Sequence, residues 1–536
     1  MNQRNRRRTR ATLRDKPPKM PDQAVSQQPS RFWYWMGGSL LAAAAFLRLF
    51  ELTLKPLHHD EGVNGIFLTN LFRSGYYHYD PANYHGPSLY YFGWIVTTIN
   101  SVFYGKAGLS TFAIRLVTAL FGIGVVWLLL CLRRQLGTFG ALSAATLAAV
   151  SPGMVFFSRY FIHEILFVFF TLGIVVSRLR YRETPRPRDF LLATASAALL
   201  GTTKETWIIT VGVWLIAIPC TALYLRLRES SFTRANAGQN ADTPGTPRLE
   251  KSLRTPDWSP VRLYGTAAAL FIGLWVVLYS SFFTNFPQGV YDSVLTFGYW
   301  FRTGNSSPHD YGWTKYLEWL TKLEMPALLL GALGIVIAFW RARERFAVFT
   351  AFWSLGILAA YSLVHYKTPW CALNIILPLF IMGGYGLQQL YQSFVGRWAF
   401  LPLVLAACVS LYQAVNLTFI DYDDDAQPYV YAHTNREFLS MVDEIDSLAA
   451  RWPEGKQIGI SIMSPEHWPL PWYLRDYPNA AYWGKVVDSS QPILVVHQDQ
   501  AAEVDRTLGR RYRRIGEYDL RPGNQLFLYL RRDIQP

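Results

Sequence analysis

The chain has 536 residues, is 51% hydrophobic and 16% aromatic, and carries a net charge of +14. That apolar fraction is too high for a soluble protein of two or three domains. The positive charge lies in short segments between apolar runs rather than in one basic patch, which argues against a nucleic-acid partner and for a membrane protein obeying the positive-inside rule.

Residues 1–31 are basic and Pro-rich and read as a disordered cytoplasmic tail touching anionic lipid, rather than as the start of a cleavable signal peptide. Phe32 to Phe50 is roughly the length that spans hydrocarbon, and the polar motif HHDEG follows at 58–62. Further apolar runs lie near 87–103, 112–132, 140–157, 161–177, 190–202, 206–224, 262–283, 325–340, 346–364, 371–390 and 398–417. If every run crossed, Arg133, Arg134 and the arginines of 178–188 would face outward, against the charge rule. The run 87–103 opens with Gly86-Pro87 and is rich in Tyr, Trp and Thr, a composition suited to the interface. Laying it flat restores the bias and leaves 11 spans, a cytoplasmic loop at 225–261, an outer loop at 51–111 and an outer C-terminus. The expected fold is thus an α-helical polytopic membrane protein whose membrane part covers 32–417.

From residue 418 to 536 the composition is that of a small extracytoplasmic α/β domain. Asn435 to Trp452 has helical apolar spacing, and Gln457 to Met463, Pro492 to His497 and Gln525 to Leu530 read as strands. The segment WPLPWYLRDY (468–477) suits either a sugar-stacking platform or a helix packed on the membrane part. Asp421, Asp423, Asp424 and Asp425 read as a solvated linker, lacking the glycine and terminal glutamate of a calcium loop. Cys131, Cys220, Cys371 and Cys408 lie in or beside apolar runs without paired spacing, so neither a disulfide framework nor a zinc site is indicated.

With this threading every short polar motif falls on the outer face, where nucleotide-activated substrates are absent. Ionisable groups beside a bilayer are costly and mark a site by default. Transfer from a lipid-phosphate donor needs a base for the acceptor and cations for the departing phosphate, and one carboxylate suffices because phosphate leaves without protonation. Asp60 is the best base, with Glu61 and Glu164 next. Arg115, Arg159, Lys204 and Lys367 stand at outer ends of predicted spans, where a lipid phosphate would sit. His59, Tyr84, His85 and His163 are candidates for hydrogen bonding to substrate. No metal ligands are assigned, since the histidine spacing matches no zinc motif; no cofactor is called for, and a role for a divalent cation stays open.

In order along the chain, Asp60-Glu61, Gly86-Pro87-Ser88-Leu89-Tyr90-Tyr91, Arg115-Leu116, Arg159 to Glu164, and Lys367-Thr368-Pro369 with Pro378 resemble the GT-C superfamily of polyprenyl-phosphate-sugar glycosyltransferases. That superfamily includes protein O-mannosyltransferases and the aminoarabinose transferases of lipid A. More narrowly, HHDEG, YDPANYHGP, HYKTPW and WPLPWYLRDY resemble the family named for association with flippase activity in archaea and also found in bacteria. The chain departs from the common pattern at Glu164, where many relatives carry Asp. The resemblance implies an inverting transferase in a multi-pass inner or plasma membrane, moving a sugar from a polyprenyl-phosphate carrier to a glycolipid, polysaccharide or protein. Asp60 would deprotonate the acceptor and the basic residues would hold the polyprenyl phosphate that leaves. The rival is a non-catalytic flippase partner or transporter binding lipid-linked glycan; charges crowded at one surface rather than at mid-membrane favour the enzyme.

Overall fold

The computed structural model describes residues 30–82, 85–236, 258–303 and 310–534. Residues 1–29 of the tail expected at 1–31, the middle of the cytoplasmic loop at 237–257, and Tyr84 lie outside the described residues. In chain order the helices of the membrane part are α1 (Arg31–Leu49), α2 (His59–Ser74), α3 (Ser88–Tyr104), α4 (Thr111–Leu130), α5 (Arg133–Val150), α6 (Pro152–Phe157) and α7 (Glu164–Glu183). They continue as α8 (Pro187–Gly201), α9 (Trp207–Asn236), α10 (Pro260–Tyr279), α11 (Gln288–Thr303), α12 (Lys315–Leu323), α13 (Met325–Arg341), α14 (Arg345–Leu363), α15 (Ala372–Tyr391) and α16 (Phe400–Val415).

Among the described residues, 6 helical segments are long and apolar enough to cross a bilayer, or up to 7 if the pair α12–α13, bent by 109°, counts as one. The chain is therefore a multi-pass integral membrane protein. Other expected spans miss that test for local reasons. α8 has only 15 residues, about 22 Å of helix at 1.5 Å per residue, and α5 begins with Arg133-Arg134-Gln135. The run 140–157 is not one helix: it breaks at Ser151, whose hydroxyl caps α6 at Met154 N (3.2 Å) with Pro152 in the first turn.

α15 is the buried axis of the membrane part. Its close neighbours α5 and α13 approach it through glycines: a Cβ on Gly334 would sit 1.9 Å from the Met382 carbonyl, and one on Gly384 would sit 2.3 Å from that of Gly140. Without water to drive association, such close backbone packing is what holds helices together in lipid.

Beyond the membrane part, a 5-stranded sheet has the order β2-β1-β3-β5-β4, built from β1 (Ile460–Ile462), β2 (Ala480–Tyr482), β3 (Ile493–His497), β4 (Tyr512–Arg521) and β5 (Asn524–Arg531). β1 is parallel to β2 and β3, while β5 runs antiparallel to β3 and β4. β3 is buried along its whole length because both faces are covered. Ile493 and Val495 join one core with α17 (Glu437–Arg451), and Leu494 and Val496 join the other with α19 (Ala501–Leu508). The aromatic segment forms the short helix α18 (Leu470–Tyr473), which docks on α2. A Cβ on Gly65 would meet the Trp472 ring at 2.5 Å, and Trp472 is only 1% exposed. Of the two readings of this segment, the packed helix is the one observed.

Candidate active site

The sequence HHDE builds its own helix start. His58 is the N-cap of α2; its Nδ1 accepts from Asp60 N (3.1 Å), and Glu61 Oε2 accepts from His58 N (3.0 Å), a reciprocal capping box. His58 Nε2 then donates to the Tyr431 carbonyl (2.9 Å), since its other nitrogen is an acceptor. Two neighbouring acids consequently have opposite surroundings.

Glu61 is fully buried and saturated. Oε1 accepts from Arg115 Nε (2.8 Å) and Phe161 N (2.9 Å), and Oε2 accepts from Arg115 Nη2 (2.8 Å) as well as from His58 N. Burial would raise the pKa of this carboxyl, but the Arg115 guanidinium overrides burial and holds it below the usual value. Arg115 is saturated too: its remaining N–H groups go to the carbonyls of Leu52, Lys55 and Pro56. Every one of its donors is used. Arg159 likewise donates to the carbonyls of Leu47, Arg48, Phe50 and Glu51, capping the end of α1. Arg115, placed as a phosphate ligand by its position at a helix end, thus has every donor spent on shaping the first outer loop, whereas Arg159 braces the same loop and keeps an Nε–H without a partner among the described residues.

Asp60 is half-buried, and its carboxylate has no hydrogen-bond partner among the described residues. Burial pushes its pKa up to about 6; His85 pulls it down, Glu164 raises it, and Lys204 and Arg521 pull it down. These groups come from four other segments of the chain. Lys204, in the loop after α8, is ion-paired with Glu164 at the start of α7. Burial alone would lower the pKa of this ammonium, and Glu164 reverses that and holds it well above the ordinary lysine value. His85 Nδ1 meets Glu205 at 3.0 Å, and its ring stands edge-on to His163 with centroids 5.2 Å apart. His163 Nε2 hydrogen-bonds the Gly86 carbonyl (3.0 Å), and burial keeps this imidazole well below its ordinary pKa and thus neutral. Gly86 N and Ser88 N donate to the carbonyls of Thr203 and Thr202, both at 3.1 Å. A Cβ at Gly86 would meet the Thr202 carbonyl at 2.2 Å, so only glycine lets the 85–88 segment lie against the Lys204 loop.

The structure therefore brings Asp60, Glu164, Lys204, His85 and His163 near one another, with His59 beside Asp60 on α2. Lys367 is held by the carbonyls of Tyr311 and Val364, next to Tyr366, whose hydroxyl pKa burial pushes up to about 12 while Lys204 pulls it down and Asp60 raises it. Two further neighbours are not among the sequence candidates: Glu205, which follows Lys204 directly, and Arg521 at the end of β4, whose Nη2 donates to His59 Nδ1 (3.2 Å) and to the Trp468 carbonyl (2.7 Å). Among the described residues, no three His, Cys, Asp or Glu side chains converge as a metal set.

A family model described as dolichyl-phosphate-mannose-protein mannosyltransferase matches residues 85–231. No curated protein matches by sequence. Among solved structures, the chain is similar to ArnT from Cupriavidus metallidurans in the apo state, at 14% identity and a TM-score of 0.60, covering 93% of this chain and 98% of that one. The same protein bound to undecaprenyl phosphate gives 15% identity and a TM-score of 0.57, with the same coverage. The Archaeoglobus fulgidus oligosaccharyltransferase is similar at 14% identity and a TM-score of 0.50, over 84% of this chain and 62% of that one. The shared architecture is the GT-C fold, and it is the fold of this chain.

Proposed function

We propose that this GT-C chain is an inverting glycosyltransferase that moves a sugar from a polyprenyl-phosphate donor to a glycolipid, glycan or protein acceptor on the outer face of the membrane. The observation that carries the reading is Asp60: an unpartnered carboxylate at the start of α2, with its pKa raised to about 6 and flanked by a paired Lys204 and Glu164. A base poised near the working pH and within reach of an acceptor hydroxyl is what the reaction requires. In the ordered mechanism Asp60 takes the acceptor proton, the acceptor oxygen attacks the anomeric carbon from the face opposite the phosphate, and the C–O bond to phosphate breaks. Lys204, with His85 and His163 alongside, faces the charge that develops on the leaving phosphate. Lys367 is the second cation on that face. Glu164 keeps Lys204 charged and in place, so its role is electrostatic rather than that of a second base.

The accompanying topology has 11 spans, α3 lying in the outer interface, the N-terminus in the cytoplasm and both the Asp60 loop and residues 418–536 outside. α3 supports this by exposing Trp94, Ile99, Val102 and Phe103 while burying Leu89, Tyr90 and Tyr91 against its neighbours. The test is turnover of a panel of polyprenyl-phosphate hexoses and pentoses by the purified full chain in lipid. Release of free polyprenyl phosphate from one donor supports the transferase and names its sugar. Tight binding of a donor with no release from any would replace this reading with the flippase partner.

A further inference from the structure

We propose that Arg521, contributed by the outer sheet, is a positioning residue of the active site: it sets His59 as the tautomer that presents an Nε2–H donor to an oxygen of the lipid-phosphate sugar. The inference rests on the glycosyltransferase reading above. Its starting point is a bond between residues 462 positions apart. A guanidinium has donors and no acceptor, so at 3.2 Å from Arg521 Nη2 the Nδ1 of His59 must be the acceptor. The neutral ring then carries its proton on Nε2. Burial first, and the Arg521 charge second, lower the His59 pKa to about 4, so the ring stays neutral at working pH although Glu466 pulls the other way.

Nε2 has no partner among the described residues and is not sealed from solvent. His59 is also the residue before Asp60 in the first turn of α2. A free, oriented N–H beside an unpartnered base is a natural contact for a phosphoryl or sugar oxygen.

Arg521 is itself well held. Its second Nη2 hydrogen goes to the Trp468 carbonyl (2.7 Å), Nη1 goes to Glu466 (3.0 Å), and its side chain is only 13% exposed. Trp468 packs in turn on Gly62 of α2 and stands 6.0 Å from the His59 ring. Among the contacts the outer domain makes with the start of α2, the Arg521 side chain on its sheet hairpin is the one that fixes the His59 ring, which gives that domain a part in setting the donor contact.

The test is a double-mutant cycle on the full chain in lipid, with the donor that the wild type turns over. Arg521→Met and His59→Ala should each lower kcat/KM about tenfold or more, mainly through KM for the donor. The double variant should be no worse than His59→Ala, because Arg521 acts through His59. His59→Gln reaches the Nε2 position with an amide N–H that needs no tautomer set; it should keep more activity than His59→Ala and be indifferent to Arg521→Met. Melting curves of every variant in the same lipid separate loss of folding from loss of the contact. Losses that multiply in the double variant, or Arg521→Met harming His59→Gln as much as the wild type, overturn the inference and leave the transferase intact. A wild type that releases nothing from any donor overturns both.

Discussion

Asp60 and Glu61 are adjacent acids, and the structure assigns them opposite behaviour on amidation. Glu61→Gln removes a carboxylate whose acceptor sites are all filled, two by Arg115 and two by the N–H groups of His58 and Phe161. The replacement amide offers one acceptor oxygen and turns an NH2 toward donors, while Arg115 is left charged at 0% exposure. Stranding one partner of a buried ion pair costs about 3–5 kcal/mol, a large share of the roughly 5–15 kcal/mol that typically separates folded from unfolded protein. Glu61→Gln should therefore show poor recovery and a much lower melting temperature, read by thermal melting and size-exclusion chromatography in detergent. Asp60→Asn breaks no bond to its side chain. It should fold normally and lose about 10²–10⁴-fold in turnover. If Glu61→Gln melts with the wild type and loses turnover as Asp60→Asn does, the division between structural and catalytic acid is wrong.

The Asp60 pKa carries two consequences with definite signs. Activity requires the carboxylate, so kcat/KM should fall as pH drops below about 6, which a pH–rate profile reads directly. The folded pKa lies above the unfolded one, so the native state binds more protons and stability declines as pH rises from about 4 through 6. At pH 7.5 Asp60→Asn should accordingly stabilise the protein, on the order of 1–2 kcal/mol after allowance for partial exposure; a lower melting point would contradict the assigned burial. Gly62→Ala would place a Cβ 2.6 Å from that of Pro469, so it should loosen the outer domain and expose the 465–476 segment to protease, whereas unchanged protection would argue against this docking. A reporter fused after Phe103 should be accessible from outside, and cytoplasmic exposure there would refute the 11-span threading.

Charge bias along the sequence puts Asp60, Glu164, Lys204 and His85 on one expected face, and in the fold these four groups stand close enough to act on one another electrostatically. The function of each cation was not legible in the sequence. A cation at a helix end looks the same in sequence whether it faces a ligand or the carbonyl end of a neighbouring helix; only the fold reveals that Arg159 caps α1 and that Arg115 is spent on Glu61 and three carbonyls. β3 and β5 carry apolar runs that announce strands. β2 is only three residues long, and β4 (YRRIGEYDLR) is half-exposed and bulged near Gly516, so neither gives a clean alternation. Arg521 was hidden for the same reason: a lone arginine at the end of a polar strand has no local signal, and its partner lies at the other end of the chain.

The most direct test of the account compares wild type with Asp60→Asn, both purified in lipid, using the donor found in the panel and measuring donor binding together with release of polyprenyl phosphate. The account predicts that both proteins bind the donor and that only the wild type releases polyprenyl phosphate. Equal release by Asp60→Asn would place the base elsewhere and contradict the central claim.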